Sequence, residues 1–312
     1  MRAGAGGQRF IRSLMAIAVL LLCGCGMASS YRPAEQKTIR DFSDGGDYVK
    51  KVGIVALLNT SAFTSNQIPV PFMTAFLDRI AAEADDVALV VPGKSEVPPF
   101  LWNPPRIANG DLDVFTLASL ARQEGMNAVV SPILMDIRVR TRDTGFWIFK
   151  DVAYSLQIQT AAAIYDTVTG ARLDLEILTD EVDIDDYQAG IVRNGQEVEV
   201  AELVDMAQEM GETLGERMAD AVNDSLWLTS VVAVEGDACV IRAGSAVGIA
   251  TGDRFTVLDG SGILTGLDGQ RFIVPGPKIS EVTIRQVAPQ RALCSPDSGA
   301  LPPTGSILVP GR

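Results

Sequence analysis

Val52-Gly53-Ile54-Val55-Ala56-Leu57-Leu58 is the stretch on which the fold turns. A strand with one wet face alternates polar with apolar residues. A run with no polar break marks a strand covered on both faces, as in α/β sheets. The pattern on its C-terminal side agrees. Phe72, Phe76, Ile80 and Ala84 fall at helical spacing within residues 72–84. Val87–Val91 is a second buried strand. Pro98–Pro105 (PPFLWNPP) carries four prolines and is expected to be a loop. A helix is predicted over Asp113–Glu124, with Val114, Leu117, Ala118 and Ala121 on one face and Gly125 ending it. Ala128–Ile133 gives the third strand.

Farther on, Met135–Arg140 and Val152–Thr160 alternate with period two, which predicts a hairpin turning at Asp143-Thr144-Gly145. Ala162–Asp166 and Leu173–Leu178 flank a second turn at Thr167-Val168-Thr169-Gly170, and an acidic loop follows. Ala201–Asn223 is a long amphipathic helix. Its stripe runs through Leu203, Met206, Ala207, Met210, Leu214, Met218, Ala221 and Val222. After Leu226 and Trp227 the helical period disappears. Short strands are predicted at Val231–Val234, Ala238–Arg242, Arg254–Leu258, Gln270–Val274, Ile279–Val287 and Ile307–Val309, separated by Gly- and Pro-rich turns. The fold class expected is α/β or α+β, a mixed sheet with packed helices, followed by a small all-β barrel or sandwich.

Working back toward the start, Arg2, Arg9 and Arg12 precede a short apolar segment, Leu14–Leu22, that is too short to span a bilayer as a helix. Leu22-Cys23-Gly24-Cys25 follows and resembles the bacterial lipobox. That resemblance implies removal of residues 1–24 and a covalent lipid, with palmitate, on Cys25 as the anchor. Gly26 at the sorting position implies the outer membrane, periplasmic face. A plain cleavable signal peptide or an uncleaved anchor is the alternative. Residues 25–48 read as a lipidated, polar tether, 49–225 as the α/β domain and 226–312 as the β domain.

Composition restricts function. The chain has no histidine, which excludes Ser-His-Asp and Cys-His catalysis and His-ligated metal. Its net charge of −13 becomes about −16 once the leader arginines leave, so nucleic acid is not expected as a partner. Membrane attachment must therefore come from the lipid, with no other cofactor implied. Cys239 and Cys294 are the thiols left in an oxidising compartment. They either form a structural disulfide or stay as two buried thiols; the disulfide is the expectation.

Three stretches carry a family resemblance: Lys51–Asn59, Leu117–Val130 and Asp166-Thr167-Val168-Thr169-Gly170. They resemble the domain of curli-secretion-channel-type lipoproteins, shared with the N-terminal domain of the Tol-Pal translocation protein B and the middle domain of the flagellar assembly protein T. Ile241–Gly244 and Gly248–Val257 are similar to the C-terminal β domain of that flagellar protein. The resemblance implies a non-enzymatic envelope component and supplies no catalytic residues. It also implies contact with other envelope proteins and a possible homo-oligomer, with a ring-forming channel subunit as the alternative function. Channel members insert long hairpins. Here the arms up to Asp143 are short against the roughly 9–11 residues a transmembrane strand needs, which disfavours a pore.

The partner-binding candidates are Phe146-Trp147-Ile148-Phe149, four large apolar residues at an expected loop tip, and Phe100 with Trp102 in the proline-rich loop. The alternatives are that the first group folds back as core and that the second caps the sheet. Asp174, Glu176, Asp180, Glu181, Asp183, Asp185 and Asp186 match no EF-hand spacing and read as a solvated edge or loop; no metal site is expected. No Gly-x-Ser-x-Gly elbow or P-loop occurs, so the chain is not expected to be an enzyme.

Overall fold

The computed structural model describes residues 48–311 apart from 64–65, 94–96, 147–148, 199 and 268, with backbone alone at 145, 146, 149 and 150. The leader, Cys25 and the tether up to residue 47 lie outside the described residues. The mixed sheet has the order β3-β1-β4-β5-β6. Its strands are β1 (Lys50–Ile54), β2 (Leu58–Asn59), β3 (Val87–Val90), β4 (Ala128–Phe146), β5 (Phe149–Asp166) and β6 (Arg172–Ile184). β1 runs parallel to β3 and β4, β2 pairs with β4, and β4, β5 and β6 are antiparallel.

The apolar run that begins at Val52 is covered on both faces, as its lack of alternation requires. Val52 and Ile54 enter the core beneath α1 (Pro69–Glu83) and α5 (Ala201–Asp224). Val55 enters a smaller core with Leu101 of α2 (Pro99–Trp102) and with Leu117 and Ala121 of α3 (Val114–Gln123). Gly53 is fixed by close approach, since a Cβ there would lie 2.7 Å from Met126 Sδ. The run is not one strand, however. Ala56 N–H leaves the ladder to donate to Leu101 O at 2.7 Å, and pairing resumes only in β2.

The buried stripe on α5 holds, and it meets Phe72, Phe76 and Ile80 of α1. Gly211 and Gly215 let the two helices touch. A Cβ at either position would fall 2.4 Å from Phe72 O or 2.7 Å from Phe76 O. Two local readings are corrected. Pro98–Pro105 is not all loop: Pro99–Trp102 forms one helical turn, because a proline at the first helical positions loses no hydrogen bond. The acidic stretch after Leu178 continues as β6 to Ile184, then becomes α4 (Asp186–Arg193), started by a reciprocal capping box between Asp185 and Gln188.

The C-terminal strands are β7 (Thr229–Glu235), β8 (Ala238–Ile241), β9 (Arg254–Leu258), β10 (Gly262–Thr265), β11 (Arg271–Val274), β12 (Lys278–Ala288), β13 (Arg291–Pro296) and β14 (Ile307–Pro310). Six of them close a barrel, β12-β13-β8-β7-β14-β9. The strand expected near residues 270–274 is not part of it; β11 pairs with β10 in a separate hairpin. Its place is taken by β13, which the sequence reading did not include. β13 sets Cys294 opposite Cys239 of β8, and the two are joined as a disulfide inside the barrel core.

Tyr48, expected to be tether, is part of the barrel. Its ring lies 4.9 Å from that of Trp227 and 5.8 Å from that of Phe255, and its hydroxyl donates to Asp253 at 3.0 Å. Trp227 Nε1 donates to Val49 O, so the chain is held by the barrel just before it enters β1. Asn127 ties the sheet to the same place, accepting from Lys51 N–H and donating to Leu228 O, both at 2.8 Å. The turn Asp166–Gly170 fills the junction. Val168 packs with Leu228, Leu258, Ile307 and Val309, and Thr169 O accepts from Ile273 N–H.

At the base of that turn the Asp166 carboxylate accepts from Val168 N–H, Thr169 N–H and the Thr169 hydroxyl. Burial pushes its pKa above the ordinary value, against the opposing pull of those donors and of Arg122. The folded state therefore holds this proton more tightly than the unfolded chain. As pH rises through the ordinary carboxylate range, the unfolded chain ionises first and stability falls until the folded-state pKa is passed. The stability of wild type relative to Asp166→Asn should thus decline as pH is raised from about 4 upward, measured by urea unfolding. A difference that is flat or favours wild type with rising pH contradicts this. Cys294→Ser opens a loop spanning 55 residues and should lower stability by about 4 kcal/mol on the loop-entropy model, read the same way.

Candidate interaction surface

The β4–β5 hairpin is longer than its sequence suggested. Pairing is continuous from Ala128↔Asp166 to Phe146↔Phe149, with one irregularity between Leu134 and Asp136. The expected turn at Asp143-Thr144-Gly145 is not one. Asp143 pairs with Val152 and Thr144 with Asp151, so the ladder runs on to Phe146↔Phe149. An Asp-Thr-Gly triplet lacks the adjacent Asn-Gly or Asp-Gly pair that forces a two-residue reversal, and the flanking alternation carries the ladder through it. The short-arm argument against a pore is corrected with it. The strands are 19 and 18 residues long, yet only residues 142–146 and 149–153 continue beyond the pairing with β6.

Alternation sorts the side chains onto two faces. Ile137, Leu156 and Ile158 are buried toward α5, with Val139 and Val182 packed beside them. The opposite face carries Arg138, Arg140 and Arg142 on β4; Ser155, Gln157 and Gln159 on β5; and Thr179, Glu181 and Asp183 on β6. Gln157 Oε1 accepts from Arg138 Nε at 3.1 Å and from Arg140 Nε at 3.0 Å. Ser155 Oγ donates to Glu181 Oε2 at 3.1 Å. Asp136, on the same face of β4, lies 3.7 Å from Arg138 Nε. The face is therefore a largely basic row, a neutral row and an acidic row, hydrogen-bonded across the strands. A shallow depression of about 310 Å³ lies among Arg140, Arg142, Ser155, Glu181 and Asp183. Its chemistry is that of charge-paired polar recognition, with arginines on one side and carboxylates on the other.

Of the residues singled out from sequence, Phe146 and Phe149 form the last backbone pair of the hairpin, whereas Trp147 and Ile148 lie outside the described residues. Phe100 packs against the small core beside buried Leu101, and Trp102 next to it is half exposed at 50%. The structure thus separates these two aromatics and brings neither to the charged face. The acidic row was seen in the sequence, but its alignment with the arginines was not. Arg-x-Arg-x-Arg and Glu-x-Asp become neighbours only once the hairpin register is known.

Three buried cations serve the frame. Burial lowers the pKa of Lys50, whose Nζ donates to the α5 carbonyls of Val222 at 2.6 Å and Asn223 at 3.1 Å. Burial likewise lowers that of Lys51, which donates to Glu124 O at the end of α3, and that of Arg122, which donates to Val168 O. Each caps carbonyls left over at a helix end or turn. Among the described residues no cluster of three or more acidic or sulfur ligands is placed to hold a metal, and no helix is long and apolar enough to cross a membrane.

No protein-family model and no curated protein matches the chain. Among solved structures it is similar to a hypothetical protein from Chlamydia trachomatis, at 13% identity over 57% of this chain and 99% of that one, with a TM-score of 0.33. It is also similar to a lipoprotein from Neisseria meningitidis, at 13% identity over 46% and 93% of the two chains, with a TM-score of 0.28. TolB from Acinetobacter baumannii gives 14% identity over 81% of this chain and 48% of its own, with a TM-score of 0.28. At these identities and TM-scores the likeness carries no function across.

Proposed function

We propose that this chain is an outer-membrane-anchored periplasmic lipoprotein that works as a non-enzymatic structural or assembly component of an envelope apparatus, with Cys25 as its anchor. The observation that carries the reading is the exposed β4–β5–β6 face. It has ordered charge and a shallow, open shape, which suits a protein surface better than a small substrate. Lys50, Lys51, Arg122 and Asp166, all perturbed by burial, are in contrast occupied by the frame. The barrel braces the sheet, and Tyr48 and Val49 are held by Trp227 where the chain enters β1. The resemblance of residues 241–244 and 248–257 makes a flagellar apparatus one candidate, beside a pilus and general envelope maintenance.

A second reading, a ring-forming subunit of a curli-like channel, is favoured by the length of the β4–β5 hairpin. Against it, the ribbon beyond β6 is shorter than a transmembrane strand, and Ile137 and Val139 are taken by the helical cover. Fractionation separates the two. Cys25→Ala should move the protein from the membrane fraction to the soluble periplasm with its fold intact. Protein that stays in the membrane and resists carbonate extraction would favour the channel and contradict an anchored scaffold.

A further inference from the structure

β6 is an outer strand with one bare side. β5 pairs with it from Asp174 to Ile184 without interruption, and among the described residues no strand pairs with its other side. Leu175 N–H and Glu181 N–H each donate at 2.8 Å to the carboxylate of the aspartate just before them, Asp174 and Asp180. These amides are therefore outside the ladder with β5. Backbone direction alternates along a strand, so the N–H and C=O groups of Leu175, Ile177, Thr179, Glu181 and Asp183 all face the bare side.

The same residues turn their side chains to the solvent face, and they differ in kind along the strand. Leu175 and Ile177 are exposed at 37% and 47%. Thr179 follows, and then the acids Glu181 and Asp183. An edge that is only guarded against association needs charge alone. Leucine and isoleucine on its wet face add nothing to such a guard, whereas a neighbouring strand would cover them. The acidic end has space for that neighbour. A depression of about 870 Å³ is lined by Glu181, Val182, Asp183 and Ile184 in succession, with Val200 before α5 and Arg142 of β4. Consecutive residues of a strand point to opposite faces, so a hollow that all of them line runs along the strand's edge.

We infer that β6 takes an extended segment of another protein as an added antiparallel strand, with apolar residues beside Leu175 and Ile177 and lysine or arginine beside Glu181 and Asp183. Charge selects the partner. From Asp174 to Ile184 the strand holds acids and no basic residue, so a second β6 would set acid beside acid. A basic segment meets opposite charge there, and the net charge of −13 draws it in from a distance. A lysine opposite Asp180 takes over the carboxylate that caps Glu181 N–H and frees that amide for the new ladder. The inference deepens the proposed role and rests on it for this face being a protein surface, not for the anchor.

The test is fluorescence anisotropy of a labelled peptide of about nine residues, titrated with the full-length, detergent-extracted protein in about 0.15 M salt. The peptide carries lysines in its N-terminal half, opposite Asp183, Glu181 and Asp180, and valines in its C-terminal half, opposite Ile177 and Leu175. It should bind, and the same peptide with glutamate for lysine should not. Ile177→Pro removes an outward donor, which an edge strand tolerates, and Glu181→Lys with Asp183→Lys reverses the charge. Each should weaken binding about tenfold or more. A lysine peptide that does not bind, or a glutamate peptide that binds as well, would overturn the inference. Binding that Ile177→Pro leaves unchanged would overturn strand addition and leave the charged face standing as a protein surface.

Should Ile177→Pro disturb the fold, amide exchange of the wild-type protein decides. Saturating lysine peptide should slow exchange at Ile177, Thr179 and Asp183. Exchange at those amides that the peptide does not change would overturn the inference.

Discussion

The β4–β5 pairing is the constraint on which the rest of this molecule depends. One continuous ladder links the buried parallel end of the sheet, where Ala128 and Val130 meet β1, to the backbone pair Phe146↔Phe149. Side-chain direction along it has period two, so its register decides at once which residues form the core and which form the surface. A slip of one residue would turn Ile137, Leu156 and Ile158 out to water and drive arginines beneath α5. Burial of those apolar side chains, each contributing on the order of 2 kcal/mol, holds the register. The charged face is ordered as a consequence.

The barrel contributes a second constraint. Its aromatic trio of Tyr48, Trp227 and Phe255 fixes the chain at the start of β1, and Asn127 and the Asp166–Gly170 turn fix the far end of the same strands. Gly125 shows how closely the two parts fit: it has φ +71°, and a Cβ there would fall 2.0 Å from Arg242 O. The sheet is thus held at its inner end by hydrogen bonds and apolar packing, while its outer end projects. That division suits a module whose frame stays rigid while one face meets a partner.

Much of the fold was legible because it depends on local periodicity. The unbroken apolar run at Val52, the stripe on α5 and the Gly-rich strands of the barrel all announce themselves. What escaped depends on pairing or on masked signals. The capping box of α4 was hidden within an acidic run whose charge suggested a loop. β13 is a strand because β8 and β12 lie on either side of it, not because its own residues demand it. Tyr48 sits at the end of a polar stretch and is recruited by two aromatics far away in sequence. The charged face was half legible. Three alternate arginines and a set of acids were evident, but setting the turn at residues 143–145 lost the register that aligns them.

The central claim is that the β4–β5 ladder runs unbroken past Asp143 and so sets the rows of the charged face. Amide hydrogen exchange of the full-length, detergent-extracted chain tests it most directly. Alternate amides of both strands, those that bond across the ladder, should be protected from Asp136 and Gln159 out to Asp143 and Val152. Fast exchange of every amide beyond Arg140, as a turn at residues 143–145 would give, would contradict it.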